Sequence, residues 1–524
     1  MFFLKTATQS THKTIPLTFG GSAAMTFSTS SLDGAMSAER FGGFPLKLKC
    51  ILMKLALPKI IQGGMGIHVS SWRLAKAVSV EGQLGVVSGT AIDAVVARVL
   101  QLGDKEGCIR RALEHFPFPE MANRVKERFF VQGGKDGLKP FKGIGMPSLD
   151  LSRAKTELLI VSNFVEVFLA KEGHDGVVGI NYLEKIQIPT LPSLFGAMLA
   201  GVNVVLMGAG IPTAIPGVLD GLADWQPVSL KLNVEDNPEN VEFNMTFDPR
   251  EFAEGTAPKL DRPDFLAIVS TDIVAKSMER RAAGVVDGYV IENYNAGGHN
   301  APPRKDRTQP ADAEPYFGEK DDPNLDKIRA LGKPFWLAGK FTSEGGLKNA
   351  LAEGAQGLQV GTHFAFCDES GIQRDIKDEV IHQSLAGTMK VETSFVASPT
   401  GYPFKLARLS GDQFTVESLM RRQRVCDMGY LRTAYVDGDQ KLAWRCPAEP
   451  VEDYVRKGGD SGRTQGSLCL CNGLAGTVGL GQNRKGASEA PILTTGEEAL
   501  QLAKVIPEGQ SRYTAKHVID YLLS

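Results

Sequence analysis

No apolar run in this sequence approaches the roughly 18–20 residues that a helix needs to span a bilayer, so a helical membrane protein is excluded. Net charge is nearly absent: 58 basic against 60 acidic residues leave −2. No bulk electrostatic term therefore favours nucleic acid or an anionic membrane as partner. Cysteine is scarce, with seven in 524 residues, which argues against a disulfide scaffold and fits a cytoplasmic chain. No repeat of solenoid period is visible. None of the eight histidines stands at metal-ligand spacing from another.

Glycine, by contrast, is abundant: 57 in 524 residues, against about 7% in an average chain. The glycines fall in a pattern. From Lys59 onward, short apolar runs alternate with helical spacing, and many runs end in glycine. Eight are read as strands: 59–62, 84–88, 176–181, 202–207, 265–270, 286–291, 335–338 and 357–360. Alternating strands and helices in this number predict a parallel (β/α)₈ TIM barrel, in which the active face lies at the C-terminal strand ends. Those ends carry Gly63-Gly64-Met65-Gly66, Asn181, Gly208-Ala209-Gly210, Ala296-Gly297-Gly298-His299, Ala338-Gly339-Lys340 and Gly361-Thr362. The glycine excess and the expected active face thus coincide.

The rhythm is interrupted twice. Residues 91–170 exceed one crossover and read as a helical insertion after the second strand, with a Pro/Gly-rich break at 133–147. Residues 227–262 alternate apolar and polar positions around Asn237-Pro238 and read as a hairpin insertion. The expected organisation is a TIM barrel over 57–370 and a C-terminal cap or side subdomain over 371–524. Before these, residues 1–56 are rich in Ser, Thr and Gly and read as a loosely ordered extension rather than a targeting peptide, with Met53 as an alternative start.

His299 is the strongest catalytic candidate. It follows a strand and two glycines, and an imidazole suits proton movement near neutral pH. Gly339 precedes a helix opened by Thr342-Ser343-Glu344, whose free N–H groups favour an anion, and Gly361-Thr362 adds donors. Arg304, in the stiff Asn300-Ala301-Pro302-Pro303-Arg304 loop, is a candidate for drawing an anionic substrate, and residues 303–323 read as a lid. His363 is a candidate pocket residue, and His68 a helix cap. The run Arg421-Arg422-Gln423-Arg424 reads as an exposed helix face. Cys426, Cys446, Cys469 and Cys471 have the spacing C-x19-C-x22-C-x-C. Four thiolates could bind Zn or an Fe-S cluster, and a small thiol core is the competing reading.

Taken together, Gln62-Gly63-Gly64-Met65-Gly66, Gly179-Ile180-Asn181, Ala296-Gly297-Gly298-His299 and Gly357-Leu358-Gln359-Val360-Gly361-Thr362-His363-Phe364 resemble the nitronate monooxygenase (2-nitropropane dioxygenase) family. That group includes the flavin-dependent enoyl-acyl-carrier-protein reductases. The resemblance covers about residues 57–370 in order. It implies a barrel holding FMN, with Gly64, Met65 and Gly66 against the ring, Asn181 at the ring edge, and Gly297 and Gly298 beside it. It implies that Gly339, Lys340, Gly361 and Thr362 hold the phosphate. It also implies that His299 serves as base for a carbon acid that FMN oxidises, with O₂ as co-substrate. Two positions depart from the family pattern: Asn295 stands where a glutamate is usual, and Lys340 where a glycine is. Gly208-Ala209-Gly210-Ile211-Pro212 resembles the reductase branch at least as well, so NAD(P)H stays open as electron donor. The alternatives are an enoyl-thioester reductase and, in another class, a noncatalytic flavin-binding partner protein. The expected partners are a small-molecule substrate and O₂, without nucleic acid or membrane, and a homo-oligomer remains open.

Overall fold

A computed structural model describes residues 58–304, 314–339, 341–410, 416–484 and 487–524. The expected N-terminal extension, Met53 and Lys340 lie outside these residues, as does much of the expected lid.

Eight parallel strands form one sheet: β1 (Ile60–Gln62), β2 (Gly85–Ser88), β3 (Val178–Leu183), β4 (Val204–Gly208), β5 (Asp264–Val269), β6 (Gly288–Glu292), β7 (Phe335–Ala338) and β8 (Gly357–Val360). Their order around the sheet is β1-β8-β7-β6-β5-β4-β3-β2. A parallel bridge between Ile61 and Leu84 closes the ring, with Gln62 N donating to Leu84 O at 2.9 Å. The (β/α)₈ barrel expected from the sequence is therefore the observed fold.

Strand alternation explains why so short an apolar vocabulary suffices. Ile61, Val86, Val204, Leu206, Leu266, Val290 and Trp336 form an inner cluster. Their neighbours Ile60, Val87, Val205, Phe265, Tyr289, Ile291 and Phe335 belong to the outer core. Successive side chains point to opposite faces, and both faces are covered, so the strands read as continuous apolar runs. The barrel interior is a filled core, and space for a ligand exists only above it.

Both interruptions are present. Helices Ile92–Gln101, Cys108–Glu114, Pro119–Phe129 and Arg153–Lys171 separate β2 from β3. Strands Val228–Lys231 and Asn244–Phe247 pair antiparallel between β4 and β5. The C-terminal residues pack onto this insertion as well as onto the rim. Thr433–Val436 pairs with Val234–Glu235 on one side and with Leu442–Arg445 on the other. A second antiparallel pair, Lys390–Ser394 with Phe404–Arg408, reaches the barrel mouth. Among the described residues, no helix is long and apolar enough to cross a membrane.

Candidate active site

A cavity of about 460 Å³ opens at the C-terminal strand ends. The loop 63–66 forms one side. Ser70 shapes it: its Oγ donates to Gly63 O at 2.8 Å and accepts from Met65 N at 2.9 Å. Gly64 must lack a side chain, because a Cβ there would stand 2.3 Å from Asn181 Cβ. The two loops therefore interlock. Asn181 Nδ2 donates to Gly64 O at 3.4 Å, while its Oδ1 is buried without a partner. Gln359 Oε1 and Thr495 Oγ1 also line the cavity as buried, unpartnered polar atoms.

The loop after β6 is held by the C-terminal residues. Gly298 adopts φ +82°, a conformation that favours glycine. Its N–H donates to Thr494 Oγ1 at 3.0 Å, and its carbonyl accepts from Lys405 N at 2.9 Å. His299 bridges to Phe404, and the two rings meet edge-to-face at 4.8 Å. His299 Nε2 contacts Ser398 Oγ at 2.7 Å, and Thr400 in turn contacts that hydroxyl. Burial, reinforced by the nearby Lys185 ammonium, holds the imidazole well below its usual pKa. His299 is therefore neutral at pH 7.

Two further titratable groups face the same space. Glu292 ends β6, and burial alone pushes its carboxyl up to about 7. Lys185 follows β3, and burial pulls it down to about 8 against the opposing pull of Glu184. Sequence reasoning missed both. A carboxyl terminating the otherwise apolar Tyr289-Val290-Ile291 run was the available signal for Glu292. Lys185 gave none, because its neighbours in space come from distant parts of the chain.

Gly339, Thr342, Gly361 and Thr362 line the same cavity. The Thr342 and Thr362 hydroxyls both contact the Glu498 carboxyl at 3.2 Å. Burial raises the Glu498 pKa, and those two hydrogen bonds partly oppose it. An acidic group of the chain itself thus stands where an anion was expected.

Other expectations are corrected. His363 is buried beside Tyr521 rather than in the cavity, and burial lowers its imidazole to about 4. Its helical position after Thr362 turns it toward the C-terminal helix. Arg304 does reach the cavity mouth, but its side chain is exposed. The part of the expected lid that is described is anchored, with Phe317 stacked on Tyr294 at 4.4 Å. His68 faces Glu166 at 3.8 Å and caps nothing. Arg422 is not on an exposed helix face: it pairs with Glu489, while Arg424 donates to Pro447 O and Thr464 O.

The four late cysteines do converge on one small hollow. Yet no group of three or more His, Cys, Asp or Glu among the described residues is arranged to hold a metal ion. Burial raises the pKa of Cys426 to about 11 and pushes Cys446 and Cys471 up as well. Cys446 and Cys469 are buried around Ala448, with Cys471 packed against them.

A closed parallel barrel with convergent polar groups around a cavity at its strand ends has its candidate binding site where such barrels place theirs. The family model described as nitronate monooxygenase matches residues 226–413, and that segment is similar to this family, whose members are oxidoreductases. The chain is 28% identical over 201 residues to a nitronate monooxygenase of Paraburkholderia phytofirmans, covering 37% of this chain and 47% of the relative. It is 26% identical over 210 residues to a (3aS,4S,5R,7aS)-5-hydroxy-7a-methyl-1-oxo-octahydro-1H-indene-4-carboxyl-CoA dehydrogenase of Mycobacterium tuberculosis, covering 37% and 56%. The chain thus spans about half the length of the curated relatives it matches. Among solved structures, FabK from Thermotoga maritima aligns with a TM-score of 0.45 at 16% identity, covering 91% of this chain and 94% of that one. A nitroalkane oxidase from Streptomyces ansochromogenes aligns with a TM-score of 0.45 at 14% identity, covering 90% and 96%.

Proposed function

We propose that this chain is an FMN-dependent oxidoreductase that oxidises a nitronate with O₂, in the manner of a nitronate monooxygenase. The observation that carries the reading is the set of buried, unpartnered oxygens at Asn181, Gln359 and Thr495 around a cavity that also holds His299. Buried polar atoms are normally satisfied, so this set calls for a ligand that brings hydrogen-bonding groups into the cavity; a flavin ring has one N–H donor and several acceptors, and amide and hydroxyl side chains can meet both kinds. Gly64–Gly66, Asn181, Gly297 and Gly298 would hold the ring. Gly339, Gly361, Thr342 and Thr362 would hold the phosphate once Glu498 releases the two hydroxyls. FMN, when bound, supplies the electron acceptor.

The protein's own part is binding and proton control. In the tautomer whose Nε2–H donates to Ser398 Oγ, Nδ1 is the ring nitrogen that accepts a proton. The imidazole is neutral at pH 7 and so is ready to accept. Protonating it beside Lys185 is costly, however, which favours a substrate that arrives already as an anion. Glu292, poised near 7, is the second group able to exchange a proton in this space. The wall of the cavity excludes water and strengthens each of these interactions.

A second reading, reduction of an enoyl thioester by NAD(P)H, is supported by the relative named as a CoA-ester dehydrogenase. Anaerobic mixing of the yellow protein with ethylnitronate or with NADPH separates the two. Bleaching by ethylnitronate is expected; bleaching by NADPH alone would overturn the nitronate reading.

Glu498 provides a further test. Its carboxyl competes with the phosphate for Thr342 and Thr362. Glu498→Ala is expected to tighten FMN binding by about tenfold, the worth of one charge-assisted hydrogen bond. Quenching of FMN fluorescence by the apoprotein measures it, and weaker binding in the variant would place the phosphate elsewhere.

A further inference from the structure

Lys185 is buried in an unusual way. Its Nζ is shielded from solvent and has no hydrogen-bond partner among the described residues. Glu184 acts on it through space, yet the Glu184 carboxyl accepts a hydrogen bond from Asn233. What faces the ammonium is the Tyr402 ring, with Nζ 4.3 Å from its centroid. Lys185 and Tyr402 both line the cavity that contains His299 and Glu292.

Magnitudes decide what this arrangement is for. Withdrawing an ammonium from water costs several kcal/mol even after relaxation. An aromatic face returns about 0.5–2 kcal/mol. The ring alone does not offset the burial, whereas an anion delivered into the cavity would. Apolar side chains share this space: Ile186, Ile211, Leu470 and Leu474 line it. His299 is kept neutral, so the positive charge offered to a ligand on this side of the cavity belongs to Lys185.

We propose, building on the oxidoreductase reading of this cavity, that Lys185 holds the anionic oxygen of the substrate beside His299. The substrate class is then a carbon acid in its anion form, with charge delocalised from carbon onto an oxygen and an apolar tail attached. A nitronate and a thioester enolate share this chemistry. Lys185 is a binding residue, and it recognises charge on oxygen rather than the nitrogen or sulfur that distinguishes the two.

Sodium nitrate, a planar and unreactive oxyanion, is the direct probe. Calorimetric titration into the full-length protein as purified is expected to show binding by the wild type. In Lys185→Met that affinity falls about 10- to 100-fold, the loss of one hydrogen bond to a charged group, and Lys185→Arg keeps most of it. Lys185→Gln supplies the same comparison if the methionine variant does not fold. In the flavin-loaded enzyme, KM for ethylnitronate rises in parallel, kcat changes less, and FMN content is unchanged. Equal nitrate affinity in wild type and Lys185→Met, or no nitrate binding by the wild type, overturns the proposal. Loss of FMN from Lys185→Met also overturns it by assigning the lysine to the cofactor. Nitrate binding needs no turnover. A wild type that binds nitrate through Lys185 but bleaches with no donor would sink the oxidoreductase reading and leave this one standing.

Discussion

Replacing Asp93 with alanine is expected to cost about 3–5 kcal/mol of stability, because it strands a buried cation. Asp93 lies on the helix Ile92–Gln101 and is fully buried. Its Oδ2 accepts from Lys155 Nζ at 2.6 Å, and the Lys155 side chain is itself 5% exposed. Its other oxygen accepts from the Tyr430 hydroxyl. One carboxylate thus joins two helices of the insertion to a C-terminal residue that lines the cavity. With the carboxylate gone, the ammonium keeps only a distant ring, Tyr430 at 5.6 Å. The double variant Asp93→Leu/Lys155→Met removes both charges and is expected to recover much of the loss, since an apolar pair of similar volume often matches a buried ion pair. Chemical unfolding of the single and double variants measures this. A midpoint shift in Asp93→Ala no larger than that of a surface substitution would show that water already reaches the pair.

His299→Asn is expected to slow turnover of neutral nitroethane by about 10²-fold, the lower end of what a positioned general base contributes, because burial and the neighbouring Lys185 make protonation of the imidazole costly. Asparagine keeps a polar group near Ser398 but accepts no proton at pH 7. Preformed ethylnitronate has no such proton to give up, so its turnover falls much less. The bound flavin spectrum stays the same, because His299 touches the C-terminal strand pair and the cavity rather than the phosphate corner. Steady-state rates with the two substrates test the difference. Equal losses on both would recast His299 as a binding group, and no loss on either would remove it from the mechanism.

Much of this architecture was legible in the sequence because it rests on local rules. The strands β7 and β8 fall on the expected residues, since each is a short apolar run bounded by glycine or proline. Both β3 boundaries lie two residues later than expected, and β4 starts two residues later and ends one later, because Gly176 and Val202 precede the paired residues and the strands run on to Leu183 and Gly208. The glycine-marked side of the cavity was equally readable, because close backbone approach forces glycine at positions such as Gly64. The opposite side was not. Ser398, Tyr402 and Glu498 meet His299, Lys185 and Thr362 respectively through tertiary contacts, and none stands in a periodic or punctuated context. The cysteine spacing shows a further limit: thiols brought together by a fold are as compatible with a small apolar core as with a ligand set.

The division of the cavity has a consequence for how its chemistry can diverge. The strip of chain shared with the nitronate monooxygenase family, 226–413, supplies His299 and Ser398. Tyr430, Leu470, Leu474 and Thr495 enter the same chamber from beyond that strip. On the proposed reading, the proton-handling group and part of the wall that meets the substrate are thus written in different stretches of sequence. Substitutions in the later stretch are then expected to alter which molecules fit while His299 and Ser398 stay in place.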